Sequence, residues 1–142
     1  MIRAASADDA DLVRTLFREY ADGLDVDLAF QGFEQELADP LALYELVLLA
    51  DGGCVALRRI DERTCEMKRL YVRETARGSG LGRRLAEAVV AEARARGYER
   101  MLLDTLPSMA AAQGLYASLG FRETEPYRHN PVPGATFLEL RL

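Results

Sequence analysis

The sequence lacks the features that mark membrane, metal-dependent and broadly nucleic-acid-binding proteins. No apolar run approaches the roughly 20 residues of a membrane-spanning helix, and the N-terminal segment turns acidic too early for a signal peptide. The only cysteines, Cys54 and Cys65, do not have metal-ligand spacing. The net charge of −5 argues against the large basic face that nucleic acid requires. We therefore expect a cytoplasmic protein with two buried thiols, no metal, no membrane contact and no nucleic-acid partner.

The chain also lacks internal repeats, low-complexity stretches and any segment with the composition of a linker. Its 142 residues, 49% of them apolar and 29% charged, are typical of one soluble domain around a single core. We therefore expect residues 1–142 to form one domain.

A glycine-rich turn surrounded by positive charge is the most informative stretch. Residues 77–82 read R-G-S-G-L-G, and glycine permits backbone angles and close approaches that a Cβ would block. A strand-like segment precedes this turn, and a helical pattern follows from Leu81. The unpaired amides and the dipole of a helix N-terminus favour an anion. Residues 68–84 also contain six basic side chains and one acidic side chain. This combination predicts a site for a phosphate-bearing ligand.

The hydrophobic periodicity predicts an α+β fold. Ser6 and Asp9 form the pattern of a capping box, which marks the start of the first helix. The helix from Leu81 lies between two strand patterns and so predicts a parallel crossover within an otherwise antiparallel, mixed sheet. Strands are expected at 2–5, 46–50, 55–60, 65–72, 101–105, 121–125 and 135–142, and helices at 7–21, 28–38, 81–96 and 108–119.

Two familiar phosphate-binding motifs do not fit the turn. A P-loop needs a lysine followed by Ser or Thr after its last glycine, but Gly82 is followed by Arg83 and Arg84. The dinucleotide fingerprint needs its third glycine three positions after the second, where this chain has Arg83. Neither motif therefore explains the turn.

The turn instead resembles the Q/R-x-x-G-x-G/A signature of the GNAT N-acetyltransferase superfamily. Residues 115–121, L-Y-A-S-L-G-F, are similar to the L-Y-x-x-x-G-F segment of that family. The resemblance is clearest over residues 46–121, and the element order outside that range is compatible with it. It implies acetyl-CoA as acyl donor and a GNAT-like α+β fold, with the sheet splayed between its fourth and fifth strands and helices on both faces.

The same resemblance assigns the parts of the donor site. The amides of the turn would hold the diphosphate of acetyl-CoA, and the preceding strand would hold the pantetheine arm. A tight turn without any ligand is the alternative interpretation of the three glycines. The cofactor-binding residues implied by the resemblance are Leu70, Tyr71, Val72, Arg77, Gly78, Ser79, Gly80, Leu81, Gly82 and Arg83.

Acetyl transfer to an amine requires removal of a proton from the amine, stabilisation of charge on the thioester oxygen and protonation of the leaving thiolate. Tyr116 matches the general acid of the family, and the tyrosine pKa of about 10 suits donation to a thiolate. A packing role beside Leu115 and Leu119 is the alternative. The backbone N–H of Leu70 is the candidate donor to the oxygen.

Glu66 is the candidate base, acting through water, because many relatives carry a glutamate in the strand before the signature. An ion pair with Lys68 or Arg58 is the alternative interpretation of this residue. Strand alternation leaves neither face of residues 65–72 purely apolar. A β-bulge in this strand, which the family has, would re-aim one half of it.

Two further positions bear on the site. Relatives often have an asparagine at the start of the last helix, where this chain has Met109, whose thioether cannot replace the hydrogen bonds of an amide. His129 is the only histidine and lies in a proline-containing loop, where a surface position is commoner than a catalytic one.

The acceptor site of the family lies between the first two helices and a loop near the end of the sheet, here residues 23–33 and 127–134. Asp22, Asp25 and Asp27 would attract a cationic amine, although a solvated acidic loop fits equally well. We expect a small-molecule or peptide amine as acceptor. Pairing of the closing strands across a homodimer remains open.

Three functions therefore compete. The first is an N-acetyltransferase that moves an acetyl group from acetyl-CoA to a primary amine by direct attack in a ternary complex. The second is a non-catalytic acyl-CoA-binding sensor or interaction module, and the third is a nucleotide-binding regulator that uses the same turn. The presence of both Glu66 and Tyr116 favours the enzyme.

Overall fold

The computed structural model describes residues 1–24, 27–29 and 32–142. Its helices are α1 (Ala10–Leu24), α2 (Phe33–Ala38), α3 (Leu81–Ala95) and α4 (Ala110–Ser118). Its strands are β1 (Arg3–Ala4), β2 (Leu46–Ala50), β3 (Gly53–Arg59), β4 (Thr64–Val72), β5 (Arg100–Thr105), β6 (Arg122–Glu123) and β7 (Thr136–Arg141).

Within the described ranges the strands form one mixed sheet in the order β1-β2-β3-β4-β5-β7-β6. Neighbouring strands run antiparallel except β4 and β5, which are parallel. The helix α3 connects these two strands, because a parallel pair cannot be joined by a tight turn. The predicted α+β fold with one parallel crossover is therefore confirmed.

The parallel pair separates partway along its length. Residues 64–66 of β4 pair with residues 100–102 of β5, and the two strands share no ladder beyond them. Both strands nevertheless continue, β4 to Val72 and β5 to Thr105. On its other side β5 stays paired with β7 along its whole length. The predicted splay between the fourth and fifth strands is thus present, and it opens a gap inside the sheet.

A β-bulge changes the direction in which the side chains of the second half of β4 point. Cys54 pairs with Tyr71 whereas Ala56 pairs with Lys68, so the strand has one residue too many opposite β3. Arg69 has a φ of +57°, a left-handed conformation that is rare outside glycine. The expected bulge is therefore confirmed, and it begins directly before Leu70.

A buried ion pair accompanies the strained residue. The Arg69 guanidinium donates hydrogen bonds of 2.9 and 2.8 Å to the Glu36 carboxylate, and both side chains are buried. The same guanidinium lies 5.5 Å from the ring centre of Tyr20 and 5.4 Å from that of Phe33. This bidentate pair and the two rings hold a backbone conformation that costs of order 1–3 kcal/mol.

Helices cover both faces of the sheet, so the core has two parts. The helices α1 and α2 bury Phe17 and Leu37 against β2 and β3, and Cys54 lies in this part. The helices α3 and α4 bury Leu85 and Tyr116 on the other face, together with Cys65. Both cysteines are free and buried, and burial raises the pKa of each thiol to about 12. The two expected buried thiols are confirmed.

Some predicted helix ends were wrong. The capping box is present, with the Ser6 amide 2.8 Å from the Asp9 carboxylate, and it opens a short 3-10 turn ahead of α1. The helix α1 continues to Leu24, beyond the predicted end at residue 21. The helix α2 starts only at Phe33, after Gly32 with a φ of +70°. Asp25 of the predicted acidic loop and residues 30–31 of the predicted second helix lie outside the described residues.

None of the helices in the described ranges combines the length and the apolar character needed to cross a membrane.

Candidate active site

The glycine turn presents backbone donors at the start of α3. Gly78 and Gly80 both have a φ of +81°, which explains why glycine stands at these positions. Among the described residues, the amides of residues 78–83 donate to no backbone acceptor. These amides lie at the positive end of the α3 dipole, where an anion is favoured. The turn can therefore bind a diphosphate through its main chain.

Side chains stabilise the turn from within. Arg77 donates through Nε to the Val72 carbonyl at 3.0 Å, and the Ser79 hydroxyl donates to the Ala76 carbonyl at 2.6 Å. The Arg83 guanidinium donates to the hydroxyl of Ser118 in α4. The side chains of Ser79 and Arg83 thus make hydrogen bonds within the protein. The main-chain amides of the turn are therefore the donors that a ligand can use.

A cavity of about 420 Å³ lies between the turn, the second half of β4 and α4; we call it the turn cavity. Its walls are largely apolar, and α4 closes one side with small residues. Ser79 and Arg83 are the two predicted cofactor residues that do not line it. The other predicted residues line the turn cavity together: Leu70, Tyr71, Val72, Arg77, Gly78, Gly80, Leu81 and Gly82.

A second cavity adjoins the first and carries charged groups; we call it the charged cavity. This cavity is small, with a volume of about 30 Å³. Lys68 of β4, Asp104 of β5 and Tyr116 of α4 line it. The two cavities meet at a shared set of residues: Tyr20, Leu24, Leu70 and Met109.

Asp104 is fixed at the end of β5 by a loop residue. The Asn130 side-chain amide donates to the Asp104 carboxylate at 3.0 Å, and its oxygen accepts from the Val132 amide at 3.0 Å. These two bonds orient the Asn130 amide, so that its NH₂ group meets the carboxylate. Asp104 is thereby a positioned carboxylate on the wall of the charged cavity.

Lys68 is a buried cation on the same cavity, with 7% of its surface exposed. Burial lowers the pKa of Lys68 to about 8, and the nearby Glu66 carboxylate opposes that shift. Asp104 also acts on the Lys68 charge from across the gap. The charged cavity is therefore lined by two cations of β4, Lys68 and Arg69, and by the Asp104 carboxylate of β5.

Tyr116 is buried on the wall of the charged cavity, where burial raises its pKa. Asp104 and Tyr20 raise that pKa further, because a nearby anion disfavours a phenolate. The phenol therefore stays protonated at neutral pH. The Tyr116 ring also packs against Phe121, with ring centres 5.7 Å apart, so the packing role expected as an alternative is present as well.

Glu66 is fully buried and lines neither cavity. Its carboxylate accepts hydrogen bonds of 2.6 Å from the Tyr127 hydroxyl and from the Arg128 guanidinium. Lys68 and Arg58 each lie 3.9 Å from it, so the alternative interpretation of Glu66 as an ion-paired residue is confirmed. A role of Glu66 as base requires a water path through these partners.

Sequence reasoning missed Asp104, Asn130 and the buried Arg69–Glu36 pair. The available signal for Asp104 was a carboxylate at the end of an apolar strand, and nothing local linked it to Asn130. Met109, in the place of the usual asparagine, lies where the two cavities meet. His129 lines neither cavity.

Comparisons with known proteins agree with this arrangement. A model of the acetyltransferase (GNAT) family matches residues 12–121. An uncharacterised N-acetyltransferase of Schizosaccharomyces pombe is 39% identical, over 94% of this chain and 89% of its own length. Human N-acetylaspartate synthetase is 34% identical, over 87% of this chain and 42% of its own length.

A solved structure is similar to this chain in fold, and it was determined with acetyl-CoA. An acetyltransferase from Salmonella typhimurium, described with its cofactor acetyl-CoA, has a TM-score of 0.70 and 25% sequence identity. The match covers 99% of this chain and 92% of that one. The amides of residues 78–83 and the apolar walls of the turn cavity fit the diphosphate and the pantetheine arm of acetyl-CoA. The chain belongs to the acetyltransferase (GNAT) family and is an acetyl-CoA-dependent acyltransferase.

Proposed function

We propose that this protein transfers an acetyl group from acetyl-CoA to a primary amine by direct attack, with both substrates bound at once. The observation that carries the proposal is the meeting of the two cavities at Leu70 and Met109. One cavity has the shape and donors for acetyl-CoA, and the other has charged groups for an amine. Two substrates that enter separate cavities with a shared wall can react without a covalent enzyme intermediate.

The turn cavity holds the donor in this proposal. Amides of residues 78–83 and Arg77 bind the diphosphate, and residues 70–72 lie along the pantetheine arm. Acetyl-CoA supplies the acetyl group in a thioester, which makes it reactive. The bulge takes Leu70 out of the regular ladder, and we assign its amide the role of donor to the oxygen on which charge develops.

Asp104 removes the proton from the acceptor amine in this proposal. It lines the charged cavity and Asn130 holds it in place, whereas Glu66 is enclosed by Tyr127 and Arg128. A base must reach its proton directly or through one water. Asp104 lines the cavity in which the amine would bind, whereas Glu66 does not. We therefore assign Glu66, the base predicted from the sequence, a positioning role that fixes Tyr127 and Arg128.

Tyr116 donates a proton to the leaving thiolate in this proposal. Its phenol lines the charged cavity, and its raised pKa keeps the proton available at neutral pH.

The acceptor class is a primary amine, and the related N-acetylaspartate synthetase supports including amino acids among the acceptors. The test is a release assay for free CoA with a panel of amines, preceded by a thermal-shift screen of acyl-CoA compounds, ATP and NAD. We expect stabilisation by acetyl-CoA and CoA release that depends on an amine. Stabilisation without release would indicate a binding module, and stronger stabilisation by ATP or NAD would indicate a nucleotide-binding regulator.

A further inference from the structure

Met109 lines both cavities and occupies the N-cap position of α4. Its amide donates to the Leu106 carbonyl at 3.0 Å, and its carbonyl accepts from the Gln113 amide at 2.9 Å. At the other end of the side chain, the hydroxyl of Thr105 donates to the Met109 sulfur at 3.8 Å. Thr105 is buried and is the last residue of β5. The Met109 side chain therefore reaches from α4 to β5 and is held at both ends.

The space for a ligand becomes much smaller where the two cavities meet. The turn cavity has a volume of about 420 Å³, whereas the charged cavity has a volume of about 30 Å³. In the proposed function the smaller cavity must also receive the reacting amine. Tyr20 shares this boundary and is held by an edge-on contact with Tyr71, with ring centres 6.5 Å apart. The size of the Met109 side chain therefore bears directly on what fits between the donor and the acceptor.

We propose that Met109 limits the acyl group of the donor to acetyl, because its side chain occupies the space that a longer chain needs. The inference rests on the proposed function, which places the thioester near Leu70 and Tyr116, and it adds the acyl-chain specificity. A longer chain on that thioester extends either into Met109 or into the small cavity of the amine. Methionine is flexible, and the contact with Thr105 favours its position between the cavities. Extra methylene groups at such a place cause overpacking or displace the acceptor.

Donors of increasing chain length test the proposal on Met109→Ala. The kcat/KM values for acetyl-CoA, propionyl-CoA and n-butyryl-CoA are measured with one amine that supports CoA release. In wild type we expect a fall of about tenfold or more for each added methylene. In Met109→Ala we expect the ratio of acetyl-CoA to n-butyryl-CoA to fall by about tenfold or more, because the truncation vacates more atoms than n-butyryl adds. The ratio is independent of the folded fraction, since every donor meets the same sample.

An unchanged ratio in Met109→Ala would overturn the proposal, and so would a wild type that uses the three donors equally well. Met109→Leu keeps the volume of the side chain and loses the sulfur that Thr105 contacts. We expect this variant to retain the preference for acetyl-CoA. A loss of preference in Met109→Leu as large as that in Met109→Ala would contradict a limit set by volume.

Leu115→Ala is the matched control on the same helix. Leu115 lines the turn cavity but not the charged cavity, so its truncation enlarges the donor site away from the boundary. We expect it to change kcat/KM for the three donors by the same factor and to leave their ratios as in wild type. A shift of the ratios as large as in Met109→Ala would assign the effect to a loosened α4 and would contradict the role of Met109.

Calorimetric titration with the same acyl-CoA compounds, without an acceptor, is independent of turnover. We expect Met109→Ala to bind n-butyryl-CoA about tenfold more tightly than wild type does, with a smaller change for acetyl-CoA. An equal change for both compounds would overturn the proposal. Failure of every amine to release CoA, together with the shifted binding preference, would refute the proposed function and support the limit set by Met109. Amine-dependent release with unshifted preferences would refute only the role of Met109.

Discussion

The two cavities are built in different ways. The turn cavity depends on backbone amides and glycines of one short segment, residues 70–82, with small residues of α4 opposite. The charged cavity depends on side chains from α1, β4, β5, α4 and the loop before β7. A binding site formed by backbone amides recognises the diphosphate that all acyl-CoA donors share. A binding site formed by side chains can change its specificity through a few substitutions. A sequence motif is therefore enough to predict the donor site, whereas the acceptor site can be identified only in the folded structure.

The largest effect should follow from Asp104→Asn, which removes the proposed base from the charged cavity. We expect kcat/KM to fall by about 10²–10⁴, the range for a general base, with acetyl-CoA affinity nearly unchanged. The measurement combines steady-state kinetics with calorimetric titration of acetyl-CoA. Glu66→Gln is the comparison variant, and a larger loss of kcat in that variant, at equal folded fraction, would return the base role to Glu66.

Tyr116→Phe separates the two roles of the buried tyrosine. The ring keeps its packing against Phe121, and only the hydroxyl is lost. We expect kcat to fall by about 10²-fold, because a general acid contributes at least that much in typical cases. Acetyl-CoA affinity should stay nearly constant. An unchanged kcat would leave Tyr116 with packing alone.

The turn cavity is tested by a pair of glycine variants at the two ends of α3. Gly80 has a φ of +81° at the start of the helix, and Gly97 has a φ of +87° just beyond its end. Alanine at either position should cost about 1–2 kcal/mol of unfolding free energy, since both need a left-handed backbone. Only Gly80→Ala should also weaken acetyl-CoA binding, by about tenfold, through displacement of the amide donors. Equal affinities in the two variants would remove the turn from the donor site.

The smallest effect concerns pH and the charged cavity. Burial lowers the pKa of Lys68 to about 8. The charged groups that also act on it are Glu66 and Arg69 on β4, Asp104 on β5 and Arg128 in the loop before β7. Lys68 is therefore charged below pH 8 and neutral above it. The loss of kcat/KM caused by Lys68→Met should be full near pH 7 and should decline as pH rises through about 8. A ratio of kcat/KM that is constant over this range would contradict the prediction.

The difference between the turn cavity and the charged cavity also explains which parts of the structure the sequence could predict. The turn, the strand before it and the helix after it are contiguous, so local spacing was enough to place the turn and the parallel crossover. The charged cavity relies on pairs such as Asn130 with Asp104 and Arg69 with Glu36, which lie 26 and 33 residues apart. Periodicity contains no information about such contacts. Glu66 illustrates the limit, because strand alternation could not show that Tyr127 and Arg128 enclose it.

The central claim is that the amides of residues 78–83 bind the diphosphate of the donor. The most direct measurement is an amide NMR titration of ¹⁵N-labelled protein with acetyl-CoA. We predict the largest shifts at residues 78–83, with smaller shifts along residues 70–72. Saturable binding of acetyl-CoA that leaves the amides of residues 78–83 unshifted would contradict the account.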